Sequence, residues 1–223
     1  MKIALAQINT TVGDFEGNLD LLKEAYQAGV KSGVELVVAP ELAITGYPPR
    51  DLLLKSGFVE GNLVALGQLA EVVGEVGLIV GHVGRNESQT GRPATNAVSL
   101  LQEGKVVATR TKSLLPTYDV FDEDRYFEPA TDNSPVEFNG RQLGLTICED
   151  VWNDDAFWKD RRYEANPVDG LVEKGTEIII NVSASPWSLG KERMRHELLA
   201  SLAANINRPV VYCNAVGGND ELI

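Results

Sequence analysis

Short apolar runs that each end in a chemically useful polar residue, with helical segments between them, constrain this chain most. Lys2–Gln7 (KIALAQ) reads as a buried strand, and Val34–Ala39 (VELVVA) as a second that stops at Pro40-Glu41. Between them Asn18–Ser32 carries Leu19, Leu22, Tyr26 and Val30 at near-helical spacing, with Gly33 as its stop. Asp51–Val73 is mostly helical and Val76–Val83 is a strand. Two hairpins follow. Asn96–Leu101 pairs with Lys105–Arg110 around Gln102-Glu103-Gly104, and Val136–Phe138 pairs with Gln142–Ile147 across Asn139-Gly140. Glu177–Val182, Lys191–Asn207 and Pro209–Asn214 then read as strand, helix and strand. Alternating strands and helices interrupted by hairpins predict an α/β fold with a mixed sheet, or two sheets with helices outside. The Leu222-Ile223 end looks like the start of another strand, so the chain is expected to be truncated at its C-terminal end.

Composition narrows the function classes. With 223 residues, 43% hydrophobic and 23% charged, one large domain is the default and disorder is excluded. Lys and Arg number 20 against 32 Asp and Glu, a net charge of −12, which disfavours nucleic acid and anionic lipid as partners. Two Cys point to a reducing, cytoplasmic setting, and two His make a multi-histidine metal site a poor expectation. The N-terminus turns polar after Ile8, too early for a signal peptide, and no apolar run is long enough for a membrane span.

Three strand ends carry groups that could react. Cys148 ends Leu143-Gly144-Leu145-Thr146-Ile147 and is followed by Glu149-Asp150. The pattern fits a core thiol as well as a nucleophile. A nucleophilic thiol needs a base or a cation, and neither His82 nor His196 lies near a convincing motif. Glu41 is embedded between Val37-Val38-Ala39 and Leu42-Ala43-Ile44, where poor solvation suits a general base or simply ends a strand. Lys112 follows the Lys105–Arg110 strand and reads as a fixed cation or a solvated lysine. Together the three supply base, cation and nucleophile, enough for acyl transfer from an amide. The acidic stretch Asp119, Asp122, Glu123, Asp124, Glu128 lacks the pattern of a calcium loop and reads as a solvated loop. Cys213 reads as core.

These motifs resemble the Glu-Lys-Cys signature of the nitrilase (carbon–nitrogen hydrolase) superfamily. The runs from Glu41 to Leu54 and from Lys112 to Phe127, with Asn181-Val182-Ser183-Ala184-Ser185-Pro186-Trp187, resemble more narrowly the glutaminase domains of glutamine-dependent NAD synthetases. The resemblance implies an α-β-β-α sandwich over residues 1–223 that hydrolyses L-glutamine. It implies that Glu41, Lys112 and Cys148 are catalytic, with the Glu149 backbone N–H helping to hold the oxyanion. Tyr118, Glu123, Ser185 and Lys191 would line the substrate pocket, Glu123 on the α-ammonium and Lys191 on the α-carboxylate. Trp152 is either a pocket wall or a core residue. No cofactor or metal is implied for this domain. A C-terminal synthetase domain, absent from this chain, would take the ammonia and use ATP and Mg to amidate nicotinic-acid adenine dinucleotide. Homo-oligomers pairing through helical faces are also implied. Two competing readings are another nitrilase-type amidase, ω-amidase-like in substrate, and a non-catalytic scaffold.

Overall fold

The computed structural model of the chain describes residues 1–88 and 90–219. Its first half forms a five-stranded sheet in the order β1 (Ile3–Leu5), β2 (Leu36–Val38), β3 (Gly77–Arg85), β4 (Ala94–Gln102), β5 (Lys105–Thr111). The first three strands are parallel, and the β3–β4–β5 meander is antiparallel. The second half forms a four-stranded sheet, β6 (Val136–Phe138), β7 (Arg141–Ile147), β8 (Ile178–Ser183), β9 (Val210–Asn214), of which the last three are parallel. Both expected hairpins form. Each turn carries a left-handed pair, Glu103-Gly104 and Asn139-Gly140, whose twist matches the strands it joins.

Period-two alternation sorts the strand residues between two faces. Leu36, Val38, Ile79, Val98 and Leu100 of the first sheet meet Leu143, Leu145, Ile147, Ile180 and Val182 of the second in one buried cluster. The opposite faces hold Val37, Leu78 and Val80 against α1 (Phe15–Lys31) and α2 (Phe58–Val72), and Ile179 against α3 (Pro167–Glu173) and α4 (Lys191–Ile206). The layers are therefore α-β-β-α.

Four local expectations are corrected. In α1 the buried stripe runs through Leu19, Leu22, Tyr26 and Gly29, and Val30 faces solvent. Gly29 takes the inward place because a Cβ there would lie 2.5 Å from Val37 Cγ2, so helix backbone rests directly on the sheet. The helix expected over 51–73 is two pieces, a 3-10 turn at Arg50–Leu54 and α2, divided where Gly57 adopts φ +83°. The short helix α3, started by Pro167 and capped by the Asn166 side chain, was not anticipated. It supplies the crossover that parallel β7 and β8 require. The acidic stretch is exposed at Asp119, Asp122 and Asp124 but not at Glu123, which is buried. The strand expected at Leu222-Ile223 lies outside the described residues. Among the described residues no helix is long and apolar enough to cross a membrane.

Candidate active site

Glu41 lies three residues past the end of β2, after Ala39-Pro40. The chain turns there sharply enough for Leu42 to adopt φ +46°, and the turn lies against the backbone of β3 at Gly81. The carboxylate is 1% exposed but not isolated. Oε1 accepts from Lys112 Nζ and from Asn96 Nδ2, both at 2.8 Å, and Oε2 accepts from the Ala184 backbone N–H at 2.9 Å. Three donors replace the water lost on burial, so the apolar setting expected around Glu41 is only half of its surroundings.

Lys112 leaves β5 with its backbone N–H donating to Asn96 O. Its ammonium is wholly buried and bridges two carboxylates, Glu41 Oε1 at 2.8 Å and both oxygens of Glu123 at 2.8 Å. Burial pulls the Lys112 pKa down, but the charges of Glu123 and Glu41 outweigh it and hold it well above the ordinary lysine value. One ammonium facing two carboxylates leaves negative charge in excess. Burial, with the like charge of Glu41 adding, pushes Glu123 up to about 7 against the pull of Lys112 and Tyr47. Tyr47 donates to Glu123 Oε1 at 2.8 Å and Asn96 Nδ2 reaches Glu123 Oε2 at 3.3 Å. The role expected for Glu123 is thereby corrected. It does not line the cavity beside Cys148 and faces Lys112 instead.

Cys148 lies where β7 breaks into a 3-10 turn, Cys148–Val151, at φ +42°. Asp150 fixes the turn, accepting from Ile147 N at 3.0 Å and from Ser113 N and Leu114 N at 3.0 and 2.9 Å. One carboxylate thus ties the segment after Lys112 to the elbow that carries the thiol. Burial pushes Asp150 up to about 6 against these backbone donors. The Cys148 thiol is raised well above its usual range by burial and then by Glu41, while Lys112 and a hydrogen bond from Ser183 pull it back. A carboxylate and an ammonium are therefore near enough to the sulfur for both charges to act on it.

Cys148 opens onto a cavity of about 340 Å³, the low end of the size that holds small ligands. Tyr118, Glu149, Trp152, Ser185 and Lys191, all expected at the site, line it. The Tyr118 hydroxyl is 2.9 Å from both oxygens of Glu149, and Tyr163 donates to Oε1 at 3.1 Å. Lys191 opens α4 with its ammonium 5.7 Å from the Trp152 ring centre, and burial lowers its pKa. Ser185 is clamped by Asn214, which accepts from its N–H at 2.9 Å, and by Arg195, which donates to its Oγ at 3.1 Å. Arg162, stacked 3.7 Å above the Tyr118 ring, completes the rim. A larger, open polar groove of about 760 Å³ between Arg85 and Asp132 holds none of the reactive groups.

The sequence reading missed Asn96, Tyr47, Tyr163, Arg162 and Ser183. Tyr47 and Ser183 stand within runs already singled out, but Asn96 sits mid-strand among apolar neighbours with no local signal of its role. His82 is a core residue, its ring 2.7 Å from Ser99 Oγ, and His196 is exposed. Cys213 is buried with its thiol on Val38 O. Among the described residues no group of three or more His, Cys, Asp or Glu could hold a metal ion.

A family model described as carbon-nitrogen hydrolase matches residues 2–223. The glutamine-dependent NAD(+) synthetase of Synechocystis sp. is 42% identical over 225 residues, covering 99% of this chain and 40% of that protein. That of Thermotoga maritima is 37% identical over 226 residues, covering 100% of this chain and 37% of that protein. The structure of the Acinetobacter baumannii glutamine-dependent NAD+ synthetase in complex with ADP superposes with a TM-score of 0.89 at 32% identity, covering 100% of this chain and 39% of the other. An amidase from Nesterenkonia sp. shares the fold, with a TM-score of 0.81 at 23% identity over 100% of this chain and 79% of its own. The chain spans about two fifths of the length of the curated relatives it matches.

Proposed function

The chain belongs to the carbon-nitrogen hydrolase family, and from that premise we propose that it hydrolyses the side-chain amide of glutamine to glutamate and ammonia through a thioester on Cys148. The observation that carries this reading is a buried thiol on a left-handed elbow in the same site as a buried lysine that bridges two carboxylates. Glu41 takes the thiol proton and the sulfur attacks the amide carbon. As Glu41 becomes neutral its hold on Lys112 weakens. The ammonium can then turn an N–H toward the oxygen that gains negative charge, where one such donor is worth about 100- to 1,000-fold in rate. The Glu149 backbone N–H is the second donor. Glu41 returns its proton to nitrogen, the C–N bond breaks and ammonia leaves. Water, deprotonated by Glu41, attacks the thioester, the C–S bond breaks, Glu41 passes the proton to the departing sulfur and glutamate is released.

Selectivity for an amino acid follows from the cavity walls. Glu149 replaces Glu123 as the carboxylate available to the substrate α-ammonium, and Lys191 is the cation available to the α-carboxylate. Trp152 forms a wall and Ser185 meets the polar end of the substrate. The names of the relatives support a place beside a synthetase domain that consumes the ammonia in ATP-dependent amidation of nicotinic-acid adenine dinucleotide. Acid quenching during turnover, followed by intact mass measurement, should show a glutamyl adduct on Cys148. A Cys148→Ala protein that still releases ammonia from glutamine at the parent rate refutes the mechanism.

A further inference from the structure

Each carboxylate oxygen offers two lone pairs. On Glu41, Oε1 has both occupied, one by Lys112 Nζ and one by Asn96 Nδ2. Oε2 has one occupied, by the Ala184 N–H. Among the described residues a single site is left, on Oε2, the oxygen that faces Ala184 just after β8.

Asn96 is fully buried in β4, and its Nδ2 bridges the same two carboxylates as Lys112, 2.8 Å from Glu41 and 3.3 Å from Glu123. Its other side-chain atom, Oδ1, is buried with no hydrogen-bond partner among the described residues. A buried acceptor left unpaired is rare in folded proteins and calls for a reason. Turning the amide over would place Oδ1 against two carboxylates, which is worse. The fold therefore tolerates an unpaired oxygen in order to keep an N–H on Glu41 Oε1.

We infer that Asn96 is a positioning residue that closes Oε1 and confines the proton transfers of Glu41 to Oε2. The inference rests on the reading of Glu41 as the base. In the step concerned, the S–H bond of Cys148 breaks, the electron pair stays on sulfur and the proton forms a bond to Oε2. With Asn96 removed, Oε1 regains a free lone pair and becomes a second protonation site. The carboxylate also loses one of its three donors.

The test uses Asn96→Ala and the isosteric Asn96→Asp, each followed by two readouts. One is steady-state release of ammonia from glutamine. The other is the pH dependence of Cys148 alkylation by iodoacetamide, read by intact mass, which requires no amide hydrolysis. The expected result is a fall in kcat of about tenfold to 100-fold with KM for glutamine within about twofold of the parent. The inflection in the alkylation profile should move up by about one pH unit in Asn96→Ala and further in Asn96→Asp, where a third carboxylate joins the cluster. A loss carried by KM overturns the inference, as does an inflection unmoved in both variants. Loss of cooperative melting in both variants overturns it too, because it assigns Asn96 to the fold alone. A parent protein whose Cys148 titrates but which leaves glutamine intact refutes the glutaminase reading, while the alkylation profiles still decide the role of Asn96.

Discussion

Gly81→Ala tests whether the position of Glu41 is set by backbone packing. Gly81 exchanges hydrogen bonds with the Glu41 turn, its N–H on Pro40 O at 3.1 Å and its carbonyl accepting from Ile44 N at 3.4 Å. A Cβ at Gly81 would lie 2.4 Å from Leu42 N, 2.5 Å from Pro40 O and 2.6 Å from Glu41 Cα. All three are backbone atoms, so no side-chain rotation relieves the overlap. Real Cβ contacts are essentially never under 3.0 Å, and ordinary contact begins near 3.4 Å. The turn and β3 must therefore part by about 0.6 to 1 Å, a displacement large enough to cost about 100-fold in rate. Glu41 is held by bonds of 2.8–2.9 Å, which tolerate only a few tenths of an ångström. The expected outcome is a fall of about 100-fold in kcat/KM for ammonia release with about 1–3 kcal/mol lost in urea unfolding. Gly67→Ala is the control. Gly67 is an exposed α2 residue with nothing within 4 Å of its Cβ position, so alanine should stabilise the helix by about 0.5–1 kcal/mol and leave turnover alone. Parent-like kcat/KM in Gly81→Ala with an intact melt would refute the packing argument.

Two further outcomes follow from buried groups. Asp150→Asn keeps its shape but turns an NH2 toward backbone N–H groups that now donate to a carboxylate oxygen. A loss of roughly 1–3 kcal/mol is expected, with a parallel loss of turnover as the Cys148 elbow and the Lys112 segment separate; unchanged chemical denaturation would contradict this. Burial pushes His82 down to about 4. As pH falls from about 6.5 toward 4 the unfolded chain takes up a proton that the native chain refuses, and stability falls by roughly 3 kcal/mol. The raised Glu123 and Asp150 act with the opposite sign, losing stability as pH rises through about 4 to 7. The measurement is therefore the difference between parent and His82→Gln stability curves, and curves that stay parallel between pH 7 and 4 would count against the assignment.

Glu41, Lys112 and Cys148 were legible because each stands just past the end of a strand, and strand ends are where a sheet delivers side chains to one edge. The two hairpins were legible because Glu103-Gly104 and Asn139-Gly140 need left-handed backbone that few residue pairs accept. Glu123 was misread for a physical reason. Five acids in a loop look alike, and what selects one for burial is a cation 11 residues away that only the folded chain brings to it. Asn96 was invisible because its partners Glu41 and Glu123 lie 55 and 27 residues away in the chain and only folding brings them to it. Val30 followed the helical period, but Gly29 displaced it through a contact with Val37 across the layer boundary. Periodicity reports a helix face and cannot report how closely a neighbouring strand approaches.

Glu41, Asn96 and Lys112 lie in or just after strands of the N-terminal sheet, and Cys148, Ser183 and Ala184 in or just after strands of the C-terminal one. The proton transfer proposed for Cys148 and Glu41 accordingly crosses a seam between two half-molecules, stitched at this point by Ala184 on Glu41 and by Asp150 on Ser113 and Leu114. Reactivity is then a property of the docked pair. A newly made or heat-loosened chain could keep every strand and helix and still lack the base and the cation that its thiol needs for acyl transfer.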